Sequence, residues 1–211
     1  DVGIIALVIV FQPEFRRALE QLGQNSILSP IFDSKDKSER FSDETIDEIV
    51  RATFNLAKAK TGALIVIERD IPLNEYSKTG IPLDSLISSQ LLINIFEMNT
   101  PLHDGAVLVR GNRIIAATSY LPLSDDISLS KDLGTRHRAA VGISEATDSV
   151  TIVVSEETGK VSVAIKGTLI RNVDSDYLRN RLVILQNKID EKNKSKLKLW
   201  KERIKDEKEV D

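Results

Sequence analysis

Short apolar runs of strand length most constrain this chain: Ala63 to Ile67 (ALIVI), Ala106 to Val109, Ile114 to Ser119, Val150 to Val154 (VTIVV) and Val161 to Ile165. A continuous apolar run of this length, such as ALIVI, reads as a central strand covered on both faces. Gly111-Asn112 lies between two of the runs and predicts a β-hairpin. Ser155 to Lys160, with Thr158-Gly159 at the turn, predicts a second one. Between the runs the spacing becomes helical. Ser42 offers an N-cap, Asp43 and Glu44 follow in the first turn, and Ile46, Ile49, Val50, Thr53, Phe54, Leu56 and Ala57 form an apolar face ending near Lys60, with Gly62 as the stop. Ser88 caps a second helix, Ser89 to Glu97, whose buried face is Leu91, Leu92, Ile95 and Phe96. Pro82 demotes Thr79 to Ile87 to an edge strand or a loop. From Asp174 to about Gln186, Tyr177, Leu178, Leu182 and Leu185 predict a docking helix. Strands and helices alternate throughout, which predicts an α/β fold, a mixed sheet of about six strands flanked by helices.

The chain has 211 residues, enough for one sizeable core once its terminal segments are set aside. Val2 to Phe11 is almost wholly apolar and follows no initiator methionine. Spanning hydrocarbon takes roughly 20 apolar residues, so the run is too short to cross alone, and it lacks the basic region and cleavage site of a signal peptide. Residues 1–11 are therefore expected to be the remnant of a transmembrane segment, with a buried strand as the alternative. Residues 12–40 follow as a short amphipathic helix, with Phe15, Leu19 and Leu22 on one face, and a linker around Pro30. Arg16 and Arg17 beside the apolar run indicate the cytoplasmic side. The domain is expected over 41–187 and a charged extension over 188–211, where Leu197, Trp200 and Ile204 recur at helical spacing. The absence of cysteine excludes a disulfide framework and thiolate metal sites. A net charge of −3 excludes a general attraction to nucleic acid, so any polyanion must be held by a local cluster.

Two stretches carry that chemistry. His103-Asp104-Gly105 stands at a loop-to-strand junction, where a carboxylate can hold a divalent cation or accept a proton from an attacking hydroxyl. Gly105 presents its main chain without a Cβ in the way. Asp-Gly is also an ordinary turn dipeptide, and a loop histidine often only bonds its neighbours. The second stretch, Gly134-Thr135-Arg136-His137-Arg138, opens a helix with Thr135 as the expected N-cap. Free amides and guanidinium groups together suit a phosphate. On a helix with 3.6 residues per turn, positions i and i+2 diverge by roughly 200°, so Arg136 and Arg138 cannot both reach one phosphate. Ser155-Glu156-Glu157 ends a buried strand and suits a metal or ribose hydroxyls, or a solvated turn. Tyr120-Leu121-Pro122-Leu123 could wall a nucleobase or belong to the core.

The combination of Pro101-Leu102-His103-Asp104-Gly105-Ala106, Tyr120-Leu121-Pro122-Leu123-Ser124, Leu133-Gly134-Thr135-Arg136-His137-Arg138-Ala139-Ala140 and Val154-Ser155-Glu156-Glu157 strongly resembles the DAC domain of bacterial diadenylate cyclases. The resemblance covers roughly Phe41 to Val173, and the N-terminal segments resemble the membrane-anchored CdaA class. It implies condensation of two ATP into cyclic di-AMP with loss of two pyrophosphates, dependent on Mg²⁺ or Mn²⁺. It further implies Asp104, Gly105 and Arg136 as catalytic residues. The nucleotide would lie among Gly105, Ala106, Tyr120, Leu121, Thr135, Arg136, His137, Arg138, Ser155 and Glu156, and the metal on His103, Asp104 and Glu157. Its implied partners are ATP, a second copy of the chain, a YbbR-domain membrane regulator and phosphoglucosamine mutase, with no nucleic acid. The implied location is the bacterial cell membrane with the catalytic domain in the cytoplasm. A nucleotide sensor without turnover and a membrane-tethered scaffold are the competing functions.

Overall fold

In the computed structural model the chain divides into two compact units, Asp1–Lys37 and Ser38–Asp211. The structure describes residue 11, residues 40–127, 129–130 and 133–186. The expected membrane remnant apart from Phe11, the amphipathic helix and linker up to residue 39, and the charged extension lie outside those residues. Among the described residues no helix is long and apolar enough to cross a membrane.

The second unit is a seven-stranded sheet with helices on both faces. In chain order its elements are α1 (Asp43–Ala59), β1 (Ala63–Ile67), α2 (Asn74–Ser77), β2 (Ile81–Leu86), α3 (Ser89–Ile95), β3 (Ala106–Arg110), β4 (Arg113–Ser119), α4 (Thr135–Ala146), β5 (Val150–Val154), β6 (Val161–Ile165) and β7 (Thr168–Arg171). A last helix, α5, covers 175–186. The strand order is β2-β4-β3-β1-β5-β6-β7. Only β1 and β3 pair in parallel, and every other neighbouring pair is antiparallel. The α/β expectation therefore holds with one strand more than expected. The addition is β7, four residues joined to β6 through Lys166 and Gly167, both with positive φ. Two consecutive residues of that kind make the tight turn whose twist suits a hairpin. Pro82 does lie on an edge, in β2.

Alternation along the central strands divides the core. Ile65, Ile67, Val107, Val109, Ile152 and Val163 face α1, α3 and α5, packing with Ile46, Ile49, Leu92, Ile95, Leu178 and Leu182. Leu64, Val66, Leu108, Val153 and Ala164 face the other way, onto Ala140, Val141 and Ile143 of α4. Each fully buried side chain of this size stabilises the fold by about 1.5–3 kcal/mol, which makes the sheet the rigid part of the molecule.

Helix ends follow their caps with two corrections. Ser42 accepts from Thr45 N and Ser88 from Leu91 N, as the sequence predicts. The α1 C-cap is Lys60 in the left-handed conformation, not Gly62. The N-cap of α4 is Gly134, in extended conformation and with no side-chain capping bond, so Thr135 is the first helical residue. The hairpin at Gly111-Asn112 is present, and the Asn112 Oδ1 accepts from Ser42 N at 2.8 Å and from Thr45 Oγ1 at 2.9 Å, tying the turn to the start of α1.

Candidate active site

The ladder gathers distant motifs at one end of the sheet. β1 and β3 run the same way, so Gly62 and Gly105 precede neighbouring strand starts. β4 and β5 run against them, and their registers Ala106↔Ser119 and Ala63↔Val154 bring Tyr120 and Ser155 to that same end. α4 packs on this side of the sheet, against β5, β6 and β1, with Thr135 and Arg136 at its first turn. Antiparallel pairing thus places the ends of β4 and β5 beside the beginnings of β1 and β3.

Asp104, Gly105, Ser119, Tyr120, Leu121 and Arg136 share one open cavity, about 490 Å³ including its mouth, which Thr135 also borders. Gly105 has φ +94°, and a Cβ there would stand 2.8 Å from the Thr118 carbonyl carbon. Thr118 itself has φ +55° where β4 carries an extra residue against β3. Gly105 therefore serves the crossing of two backbones as well as keeping the cavity floor open. Tyr120 is 74% exposed, and its amide donates to Thr79 Oγ1 at 3.0 Å. The Leu121–Ser124 segment lies along α4: Ser124 N donates to the Arg138 carbonyl at 3.0 Å and Ser124 Oγ to Glu145 Oε1 at 2.8 Å.

A second cavity adjoins the first through Thr135 and Arg136 and adds Gly134, His137, Ser155, Glu156 and Glu157. Across it Arg136 Nη1 meets Glu156 Oε2 at 2.6 Å. The Arg136 Nε is buried with no hydrogen-bond partner. An unsatisfied donor beside a cavity is a group that an anionic ligand would complete. Burial, and next the Arg171 charge, push the His137 imidazole below its ordinary pKa, with Glu157 opposing; the ring is thus neutral at pH 7.

The structure separates some expected site residues from these cavities. Ala106 is buried at the start of β3, so only its main chain could meet a ligand. Arg138 borders none of the described cavities, which agrees with the divergence expected of positions i and i+2. The expected metal ligands do not share a cavity: Asp104 lines the first, Glu157 lines the second, and His103, next to Asp104 in the chain, lines neither. Among the described residues no three acidic or imidazole side chains gather as a metal cluster. His103 nevertheless suits a ligand's role. Its Nδ1 lies 2.6 Å from the Thr100 carbonyl, which can only accept, so Nδ1 carries the hydrogen and Nε2 the lone pair.

Sequence reasoning missed Gly62, Ser119 and Arg171. A Cβ on Gly62 would stand 2.6 Å from Arg136 Nη1 and 2.7 Å from Glu156 Oε2, so its bare backbone makes room for that pair. Its position just before a strand is the available signal, and a glycine that close to the end of α1 reads first as a helix stop. Ser119 is buried with its hydroxyl unpartnered at the cavity wall. Arg171 belongs to the unforeseen strand β7.

Comparison with known proteins identifies the family. The family described as DAC, DisA bacterial checkpoint controller nucleotide-binding, matches residues 50–169. The chain is 51% identical over 199 residues to a diadenylate cyclase of Listeria monocytogenes, covering 94% of this chain and 72% of that protein. It is 54% identical over 180 residues to the cyclic di-AMP synthase CdaA of Bacillus subtilis, covering 85% and 65%. Among solved structures, DacA from Staphylococcus aureus superimposes with a TM-score of 0.67 at 49% identity, covering 68% of this chain and 96% of that one. A protein from Bacillus cereus described as membrane-spanning matches with a TM-score of 0.61 at 36% identity, over 79% and 80% of the two chains. A matched family over residues 50–169 and relatives of 51% and 54% identity over most of the length leave one assignment: the chain belongs to the DAC family of bacterial diadenylate cyclases.

Proposed function

We propose that this protein joins two ATP molecules into cyclic di-AMP, with two copies of the chain facing each other across a two-fold axis. The observation that carries the reading is the shared cavity of Asp104, Gly105, Tyr120, Leu121 and Arg136, which adjoins the cavity of Ser155 and Glu156 through Thr135 and Arg136. Adenine lies against Tyr120 and Leu121. The triphosphate runs over the first turn of α4, where Arg136, released from Glu156, meets phosphate oxygens and the free amides of the helix start add their dipole.

The Asp104 carboxylate takes the proton of a ribose 3′-hydroxyl. That oxygen forms a bond to the α-phosphorus of the ATP held by the other chain, and the bond from this phosphorus to the bridging oxygen breaks. Pyrophosphate leaves with the electron pair. The same step in the opposite direction closes the ring. A nucleotide cannot reach its own α-phosphorus in line and still give this product, so each chain supplies half of the reacting geometry. His103 Nε2, Asp104 and, from the facing chain, Glu157 are the groups that would hold Mg²⁺ or Mn²⁺. The cation supplies charge neutralisation at the phosphates when bound. The resemblance extends the proposal to attachment at the cytoplasmic face of the membrane and to control by a YbbR-domain partner and phosphoglucosamine mutase.

Asp104→Asn tests the chemistry. The variant is expected to bind ATP nearly as the wild type does and to lose cyclic di-AMP formation by at least about 10²-fold, the usual scale for removing a positioned proton acceptor. Product assay by chromatography with ATP and Mn²⁺ decides, and wild-type turnover by the variant would refute the role. No cyclic product from the wild-type protein would favour the nucleotide sensor.

A further inference from the structure

A third cavity, about 580 Å³ including its mouth, adjoins the second through His137, Ser155 and Glu157 and is also lined by Lys160 and Arg171. The sheet explains why the two cations converge. Arg171 of β7 stands opposite Ser162 of β6, and Lys160 precedes Ser162 by two residues. Residues two apart on a strand, and residues opposite each other in a ladder, face the same side. Ala164 continues that row against α4, so the row looks toward the helix whose first turn carries His137. The β5–β6 turn that presents Lys160 is held by its own bonds. Gly159 N donates to the Ser155 carbonyl at 2.8 Å, Ser155 N to the Lys160 carbonyl at 3.0 Å and Thr158 N to Ser155 Oγ at 3.2 Å.

Charge in this cavity is unbalanced. Arg69, Arg110, Arg113, Arg136 and Arg179 each meet a carboxylate, whereas neither the Lys160 ammonium nor the Arg171 guanidinium has such a partner among the described residues. Against these two cations stands one carboxylate, Glu157, on the wall of the same cavity. Two unpaired cations on a rigid turn and an adjoining strand, with hydroxyls and amides around them, suit a compact polyanion.

We infer that this cavity is the subsite for the leaving pyrophosphate, with Lys160 and Arg171 as its anion-binding side chains. The inference rests on the reading of the Arg136 cavity as the triphosphate cradle. From adenine at Tyr120, past the α-phosphate at Arg136, the β- and γ-phosphates extend toward Ser155 and Glu157 and so toward the third cavity. In-line displacement sends the leaving group away from the attacking hydroxyl, and the pyrophosphate departs along this line. Two cations there favour the separated diphosphate more than the intact substrate, whose far end alone reaches them.

The test uses the full chain and inorganic pyrophosphate as the probe, with Mg²⁺ present. Lys160→Gln and Arg171→Gln keep the side-chain stems of two exposed residues, and Lys160→Arg keeps the charge. Calorimetric titration of pyrophosphate into the ATP-free protein and inhibition of cyclic di-AMP synthesis by pyrophosphate are measured for each. The double Gln variant is expected to weaken both by about tenfold or more, with the KM for ATP moving less than about threefold, while Lys160→Arg behaves as wild type. Equal pyrophosphate affinity in the wild type and the double variant would overturn the subsite. So would a KM for ATP that rises in step with the loss of inhibition, because the cations would then grip substrate and product alike. The titration needs no turnover, so failure of the cyclase reading would show separately, as absence of product from the wild type.

Discussion

At the scale of single residues, Gly62 leaves room for the ion pair of Arg136, the residue proposed to bind phosphate, with Glu156. The atoms that a methyl group would meet there are the ends of two flexible side chains, so the fold can absorb Gly62→Ala while Arg136 and Glu156 are pushed aside. Thermal unfolding is expected to change little, within about 0.5 kcal/mol. The KM for ATP should rise roughly three- to tenfold, the value of one charge-assisted hydrogen bond. A large loss of stability with unchanged KM would show that Gly62 matters to packing alone. His137 gives a second prediction. The folded state resists a protonation that the unfolded chain accepts, because burial and the Arg171 charge hold the ring below 6.5. Its contribution is complete above that pH and is lost as pH falls through the window beneath it. Urea midpoints of His137→Gln should therefore fall less steeply below pH 6.5 than those of the wild type, and parallel slopes would contradict the assignment. Both residues show what the sequence discloses and what it hides. Arg136 and His137 stand out by type and spacing, but Gly62 owes its role to neighbours 74 and 94 positions away, at Arg136 and Glu156, which only the folded sheet brings together.

At the scale of elements, α4 holds the Leu121–Ser124 segment, the proposed nucleotide wall, in place. Gly142 lies where a Cβ would stand 2.3 Å from the Pro122 carbonyl oxygen and 2.8 Å from Ser124 N, both main-chain atoms with no easy retreat. Alanine in a helix interior normally gains about 1 kcal/mol over glycine, so the sign of Gly142→Ala is informative. Packing is expected to win, with a net loss of about 1–3 kcal/mol in thermal unfolding and weaker ATP binding as Leu121 moves. A stabilised variant would mean that the Leu121–Ser124 segment is free of the helix. The major elements were legible because their signals are local: strand-length apolar runs, serine caps at Ser42 and Ser88, and the Gly111-Asn112 turn. β7 was not, since Thr168–Arg171 is short and only half apolar, and its turn at Lys166-Gly167 requires a lysine with positive φ. The cap of α1 escaped for a similar reason: Lys60 takes a left-handed conformation that glycine, two residues later, appeared better made to supply.

At the scale of the whole molecule, one chain carries a single copy of the residues proposed as proton acceptor, nucleoside wall and triphosphate cradle, in cavities that share Thr135 and Arg136, yet the proposed product needs two of each. The proposed pairing of two half-sites across a two-fold axis would also account for Asp104 and Glu157 lining different cavities. Membrane attachment would act here by raising the local concentration of chains. The most direct test is the specific activity for cyclic di-AMP at saturating ATP and Mn²⁺, followed across protein concentrations that span the monomer–dimer transition measured by sedimentation. Turnover per chain should climb with the fraction of paired chains and level off when pairing is complete. Turnover per chain that stays constant down into the purely monomeric range would contradict synthesis at facing half-sites.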